Sequence, residues 1–149
     1  MEISNQKRAR FIKRGFNLGA VILLLPPLFF VWKEMDLATL ISGAVLVLFV
    51  AGFLFAGLNY IHYKSTDESI QIRYYPLISF FGREYSSIDV KRKLLYSATV
   101  KKTFLFTDLV VEVKTRKGVA EFPSVSLAAL EKKDILAIKV DLAEILQQK

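Results

Sequence analysis

The chain contains no cysteine and a single histidine, His62. The first absence excludes a disulfide scaffold and thiolate zinc sites, and the second leaves an imidazole metal cluster without ligands. Nucleophile-elbow, P-loop and dinucleotide-binding glycine patterns are missing as well. A Ser-His-Asp triad has only His62 to draw on. The carboxylates Asp67, Glu68, Glu84, Asp89, Asp108, Glu112 and Glu121 are scattered among strand-like residues and read as a solvated face. The expectation is a protein that is not an enzyme and holds no metal or cofactor. Charge is also missing, from two long stretches: residues 15–32 and 37–61 contain no Asp, Glu, Lys or Arg.

What is present is unevenly spread. The 149 residues are 53% hydrophobic with a net charge of +7. Their mean hydropathy is +0.37, which excludes a disordered polar chain. The apolar residues concentrate before position 64. As a helix, residues 15–32 span roughly 27 Å and residues 37–61 roughly 37 Å, against a hydrocarbon core of about 30 Å. Only Lys33-Glu34-Met35-Asp36 separates them, so two helices here form an antiparallel hairpin. Pro26-Pro27-Leu28-Phe29-Phe30-Val31-Trp32 offers no small-residue cleavage site, which favours an uncleaved anchor. The first 14 residues carry five basic residues and one acid, and the connecting loop one basic residue and two acids. Basic flanks stay cytoplasmic. The expected organisation is a basic cytoplasmic segment over residues 1–14, a transmembrane hairpin over residues 15–61 and a cytoplasmic domain over residues 67–149. That is a multi-pass protein of the inner membrane with both termini inside.

Within the hairpin, Gly15 with Gly19 and Gly52 with Ala56 are small-residue pairs that let helices approach. Asn17 and Asn59 fall at similar depth if both runs are helical, which predicts an interhelical hydrogen bond of about 0.6–2 kcal/mol. No Asp, Glu, Lys or Arg lies within either span, so an ion or proton pathway lacks its usual marker.

After a short linker over residues 62–66, strand signals dominate. Residues 69–75 place Ile70, Ile72 and Tyr74 on one face and Gln71, Arg73 and Tyr75 on the other. Residues 78–81 and 83–85 read as short strands about Gly82. Residues 88–100 read as one or two strands, and residues 103–114 as another with an interruption at Thr107-Asp108. Thr115-Arg116-Lys117-Gly118 is a hairpin turn, with residues 119–122 returning. Leu127, Leu130, Ile135, Ile138, Leu142 and Ile145 then recur at helical spacing. They predict an amphipathic helix of four to six turns, capped by Ser124 or Ser126, or restarting at Asp134.

The run SIQIRYYPLISFFGREYSSIDVKRKLL, followed by a strand, the KTRKG turn, VAEFP and the terminal helix, resembles the small bacterial pleckstrin-homology-like (PH-like) domains found behind two transmembrane helices. The resemblance implies a membrane α-helical hairpin plus an α+β domain, a PH-like antiparallel β-barrel or sandwich closed by its C-terminal amphipathic helix. It implies architecture more than activity.

Basic residues are the remaining functional signal. Lys91 and Lys93 share a strand face by period-two geometry, Lys101 and Lys102 adjoin, and Arg116 and Lys117 sit on a turn. Residues 64–149 carry 15 basic and 11 acidic residues, a net of +4. These six are the candidate contacts for anionic lipid headgroups or for an unidentified protein partner; nucleic acid is not expected, since no binding motif occurs. The functional expectation is an interaction or scaffolding module at the inner membrane face. The alternatives are an accessory or protective subunit acting through the hairpin, and a homo-oligomeric channel or transporter component.

Overall fold

The structure, a computed structural model, describes residues 1–79, 82, 85–103 and 106–148. The expected strands at residues 78–81 and 83–85 fall largely outside that set. A short strand β1 (Glu2–Ser4) leads directly into helix α1 (Gln6–Trp32), and helix α2 (Asp36–Phe55) returns antiparallel to it. Both helices are long and apolar enough to cross a membrane, and almost none of their apolar surface is buried within the protein. α1, roughly 40 Å long, runs unbroken through Pro26 and Pro27.

The turn between the helices is a Schellman motif. Met35 N–H donates to the Phe30 carbonyl at 3.0 Å and Glu34 N–H to that of Val31 at 3.1 Å. Glu34 takes the left-handed position, φ 54°. Deeper in the hairpin, Phe16 of α1 stacks with Phe49 of α2 at 5.9 Å and meets Phe53 at 5.2 Å. Gly19 lies under the Phe49 ring, where a Cβ would come within 2.7 Å of its edge. The first small-residue pair thus lets an aromatic ring approach the backbone, through Gly19 alone: at Gly15 a Cβ meets nothing.

α2 ends at Phe55, six residues before the end of the charge-free run. Gly57 at φ 60° breaks the helix, and strand β2 (Asn59–Ser65) begins two residues later. The linker expected over residues 62–66 is therefore mostly strand. The N-terminal residues are not a separate segment either: β1 pairs antiparallel with β2, Glu2 opposite Lys64 and Ser4 opposite His62. Strands β3 (Ser69–Pro76) and β4 (Ser86–Lys91) complete a sheet of order β1-β2-β3-β4. A 3-10 turn over Arg92–Leu94 passes the chain to a second sheet of β5 (Leu95–Lys102), β6 (Thr107–Thr115) and β7 (Gly118–Glu121), with β8 (Val125–Ser126) pairing the start of β6 on the edge that β7 shares. The strand expected over residues 103–114 is shorter: β6 begins at Thr107, where an interruption was expected, and Thr103 lies before it, its N–H donating to the Phe106 carbonyl at 2.8 Å. The β6–β7 hairpin turns where expected, with Thr115 opposite Gly118 and Gly118 at φ 128°.

Helix α3 (Lys132–Gln147) packs Ile138, Leu142 and Ile145 against both sheets. They share one core with Ile61, Tyr63, Ile72, Val90, Leu95 and Leu109. Leu127 and Leu130, expected on the helix, lie on the buried turn before it, and neither serine caps it. The two sheets and α3 form an α+β domain whose sheets are not closed into a barrel.

Asn5 joins this domain to the hairpin. The chain leaves β1 for α1 at this residue, and its carbonyl accepts the Ala9 N–H at 2.8 Å to start the helix. That carbonyl is thereby lost to the β1–β2 ladder. The side chain takes its place: Asn5 Oδ1 accepts the Ile61 N–H at 2.9 Å, and Nδ2 donates to the Asn59 carbonyl at 2.9 Å and the Ala129 carbonyl at 3.4 Å. One buried amide thus ties together the start of α1, β2 and the turn before α3. Ala9 and Leu77 add a small apolar cluster at the same junction.

Tyr63 is fully buried in the domain core and donates to Asp141 Oδ2 at 2.6 Å. Burial, then the carboxylate of Asp141, pushes the phenol above its usual value of 10.0. A group that stays protonated when folded stabilises the fold fully below its unfolded value, and that contribution declines as pH rises past it. Unfolding at about pH 11 should therefore need less denaturant than at about pH 9, and Tyr63→Phe should reduce that difference. An equal difference in the variant would assign the alkaline loss to other groups.

Candidate functional site

The six basic residues singled out from the sequence divide between opposite ends of the domain. β2 leaves the hairpin at Asn59 and reaches Ser65 six steps later, roughly 20 Å away. Lys91 ends β4 opposite Ser69, so it lies at this far end. There Arg92 donates from Nη2 to Ser65 Oγ at 3.1 Å and from its N–H to the Glu68 carbonyl at 3.0 Å. These bonds pin the 3-10 turn to the β2–β3 connection. The turn breaks the period-two pattern expected through Lys91 and Lys93, and Lys93 sits on the turn itself, exposed. It also reverses the inward face: Leu95 is fully buried, while Leu94 is 46% exposed.

Leu95 pairs with Val113, which brings the β6–β7 hairpin to the same end. Between the 3-10 turn and that hairpin lies a cleft of about 720 Å³. Its apolar lining includes Leu94, Val113 and Phe122, and its basic lining Lys91, Lys114 and Arg116. The acidic residue there, Asp89, is engaged at its carboxylate by Gln71 at 3.1 Å. Lys114 Nζ stands 5.7 Å from the Tyr96 ring centroid. Lys117 shares the hairpin turn with Arg116 and is exposed. Lys114 lies near the end of β6 and adjoins no other basic residue, so no cluster in the sequence marks it.

Lys101 and Lys102 lie at the other end of β5, opposite Asp108 and Thr107. That end is close to the hairpin: Leu127 N–H donates to the Thr107 carbonyl at 2.7 Å, and Ser126 packs beside Gly57. The structure therefore brings Lys91, Lys93, Arg116 and Lys117 together and leaves Lys101 and Lys102 apart from them.

The expected interhelical pair is not formed. Asn59 belongs to β2, beyond the end of α2, and its carbonyl accepts from Asn5. Asn17 is exposed on α1, and among the described residues its side chain meets no hydrogen-bond partner. The charge-free run continues past the end of α2 because Leu58 packs against the junction cluster and Ile61 fills the domain core.

His62 lies on the outer face of β2, where Nε2 meets Glu2 Oε1 at 2.8 Å. This hydrogen bond, reinforced by the imidazole charge, holds the Glu2 carboxyl below its ordinary value. Glu131 is lowered in the same way by Lys133. Among the described residues no three His, Asp or Glu side chains gather as a metal centre would require.

The architecture defines a class: a two-helix hairpin suited to a membrane, braided through β1 and β2 into a small antiparallel sheet domain. Searches against protein-family models, curated proteins and solved structures found no match to this chain.

Proposed function

We propose that this chain is a non-catalytic, membrane-anchored interaction module. Its hairpin crosses the cytoplasmic membrane with both ends inside, which is supported by the five basic residues before residue 15 and the acidic loop between the helices. The domain is then held at the inner face by structure on both sides, β1 entering α1 and α2 leading into β2. Two packed antiparallel sheets followed by one core-packed C-terminal helix support a PH-like architecture for the domain.

One observation carries the functional reading: the cleft at the end opposite the hairpin combines Leu94, Val113 and Phe122 with Lys91, Lys114 and Arg116. It lies roughly 20 Å from the hairpin end, out of reach of the bilayer that holds the hairpin. Its partner is a protein segment presenting carboxylates around an apolar anchor, since buried apolar groups supply affinity and complementary charge directs docking. Lys93 and Lys117 extend the same cationic field.

A photo-crosslinker in place of Leu94, carried by the full chain in native membranes, should trap one predominant protein. Lys91→Glu with Arg116→Glu should reduce that adduct at least tenfold, whereas Lys101→Glu with Lys102→Glu should leave it unchanged. Equal loss from both pairs would reduce the cleft to a general cationic surface.

A further inference from the structure

The opposite end of the domain carries a second feature. Three clefts run end to end along the junction of β2, β3 and α1. The uppermost, about 600 Å³, is lined by Tyr60, His62, Arg73, Tyr75 and Tyr85. The middle one, about 280 Å³, shares Tyr60 and Tyr75 with it and adds Arg10, Lys13 and Leu77. The lowest, about 190 Å³, shares Lys13 and Leu77 and adds Phe16, Asn17 and Ile78. The shared residues make this one groove.

Its chemistry changes along its length. Tyr60 stacks on Tyr75 at 4.7 Å, and Tyr75 meets Tyr85 at 5.0 Å, so the upper wall is a rigid aromatic platform with hydroxyls. The cations Arg10, Lys13 and Arg73 follow the groove, and among the described residues none of them forms an ion pair. No described residue lining any of the three sections is a carboxylate. At the lower end the lining turns apolar, with Phe16, Leu77 and Ile78. Lys13 stands two residues before the charge-free run that starts at Gly15. Arg10 and Phe16 are six residues apart on one helix, roughly 9 Å.

We propose that this groove binds one anionic phospholipid from the surrounding leaflet, an inference that rests on the membrane placement of the hairpin. Arg10 and Lys13 hold the phosphate, the guanidinium through paired donors and the ammonium as a point charge. The headgroup lies against Tyr60 and Tyr75, with Arg73 above it, and the acyl chains leave past Phe16 and Leu77 into the bilayer. The site differs from general attraction of a basic segment to a charged surface in being one-sided: Lys7 lines a different cleft, with Arg8 and Glu131.

The test uses the full chain purified in a neutral detergent. Dioctanoyl phosphatidylglycerol should bind saturably by native mass spectrometry, and dioctanoyl phosphatidylcholine should bind at least tenfold more weakly. Arg10→Gln and Lys13→Gln should each weaken the anionic lipid about fivefold, and Lys7→Gln should leave it unchanged. Free glycerol 3-phosphate should compete poorly, because it lacks chains for the apolar end. Equal binding of the two lipids, equal loss in Lys7→Gln, or competition by glycerol 3-phosphate at the lipid's own concentration would each overturn the proposal. A chain that stays in solution without detergent would instead overturn the membrane placement itself.

Discussion

Replacing Asn5 by leucine is expected to destabilise the folded chain by about 3 kcal/mol, the loss that follows when a buried N–H and its neighbouring carbonyls are left without partners. The amide replaces a backbone carbonyl that the first turn of α1 has claimed, and three separate elements depend on it. Asn5→Asp sharpens the test, because it is nearly isosteric. It keeps the acceptor for the Ile61 N–H and loses both donors, while placing a carboxylate against the carbonyls of Asn59 and Ala129. Burial disfavours the charged form, so this variant should be least stable near neutrality and recover in part as pH falls. Chemical denaturation in detergent measures both. A loss under about 0.5 kcal/mol for Asn5→Leu, the range of an ordinary surface change, would mean that the sheet holds the helix start without the amide.

The second large effect is expected at Leu142. This side chain is 2% exposed and sits on the inward face of α3, in the core to which both sheets contribute. Leu142→Ala should lower stability by about 3 kcal/mol through lost burial and the cavity left behind. Leu136→Ala, on the outward face of the same helix and 61% exposed, should change it by less than about 0.5 kcal/mol. The contrast separates packing from helix propensity, since the two substitutions carry the same intrinsic preference. Similar losses for the two would place α3 on the surface.

Local patterns were readable in the sequence where local physics decides the structure. Alternation of Ile70 and Ile72 with Gln71 and Arg73 marks β3, the Thr115–Gly118 turn marks the β6–β7 hairpin, and the spacing of Ile138, Leu142 and Ile145 marks the inner face of α3. The end of α2 was not readable from charge, because β2 supplies apolar residues of its own. Gly57 was the available signal, since only a residue tolerant of positive φ suits the helix stop it forms. Asn5 carried no signal in the sequence, because its task depends on a strand more than fifty residues away. The distal cleft was half visible: its basic residues stand out as clusters, but the 3-10 turn that gathers four of them and turns Leu94 outward arises from long-range bonds of Arg92 to Ser65 and Glu68. The groove beside α1 joins residues from three elements, and no single stretch announces it.

The proposed placement, a hairpin across the membrane with the domain on the cytoplasmic side, is open to a direct test. Because the chain has no native cysteine, single introduced thiols report their side of the membrane without background. Met35→Cys, at the helix turn, and Lys117→Cys, on the distal hairpin of the domain, are treated in intact cells with a membrane-impermeant maleimide. Met35→Cys is expected to label in intact cells, and Lys117→Cys only after the membrane is opened. Labelling of Lys117→Cys in intact cells with Met35→Cys protected would invert the topology and contradict the proposed placement.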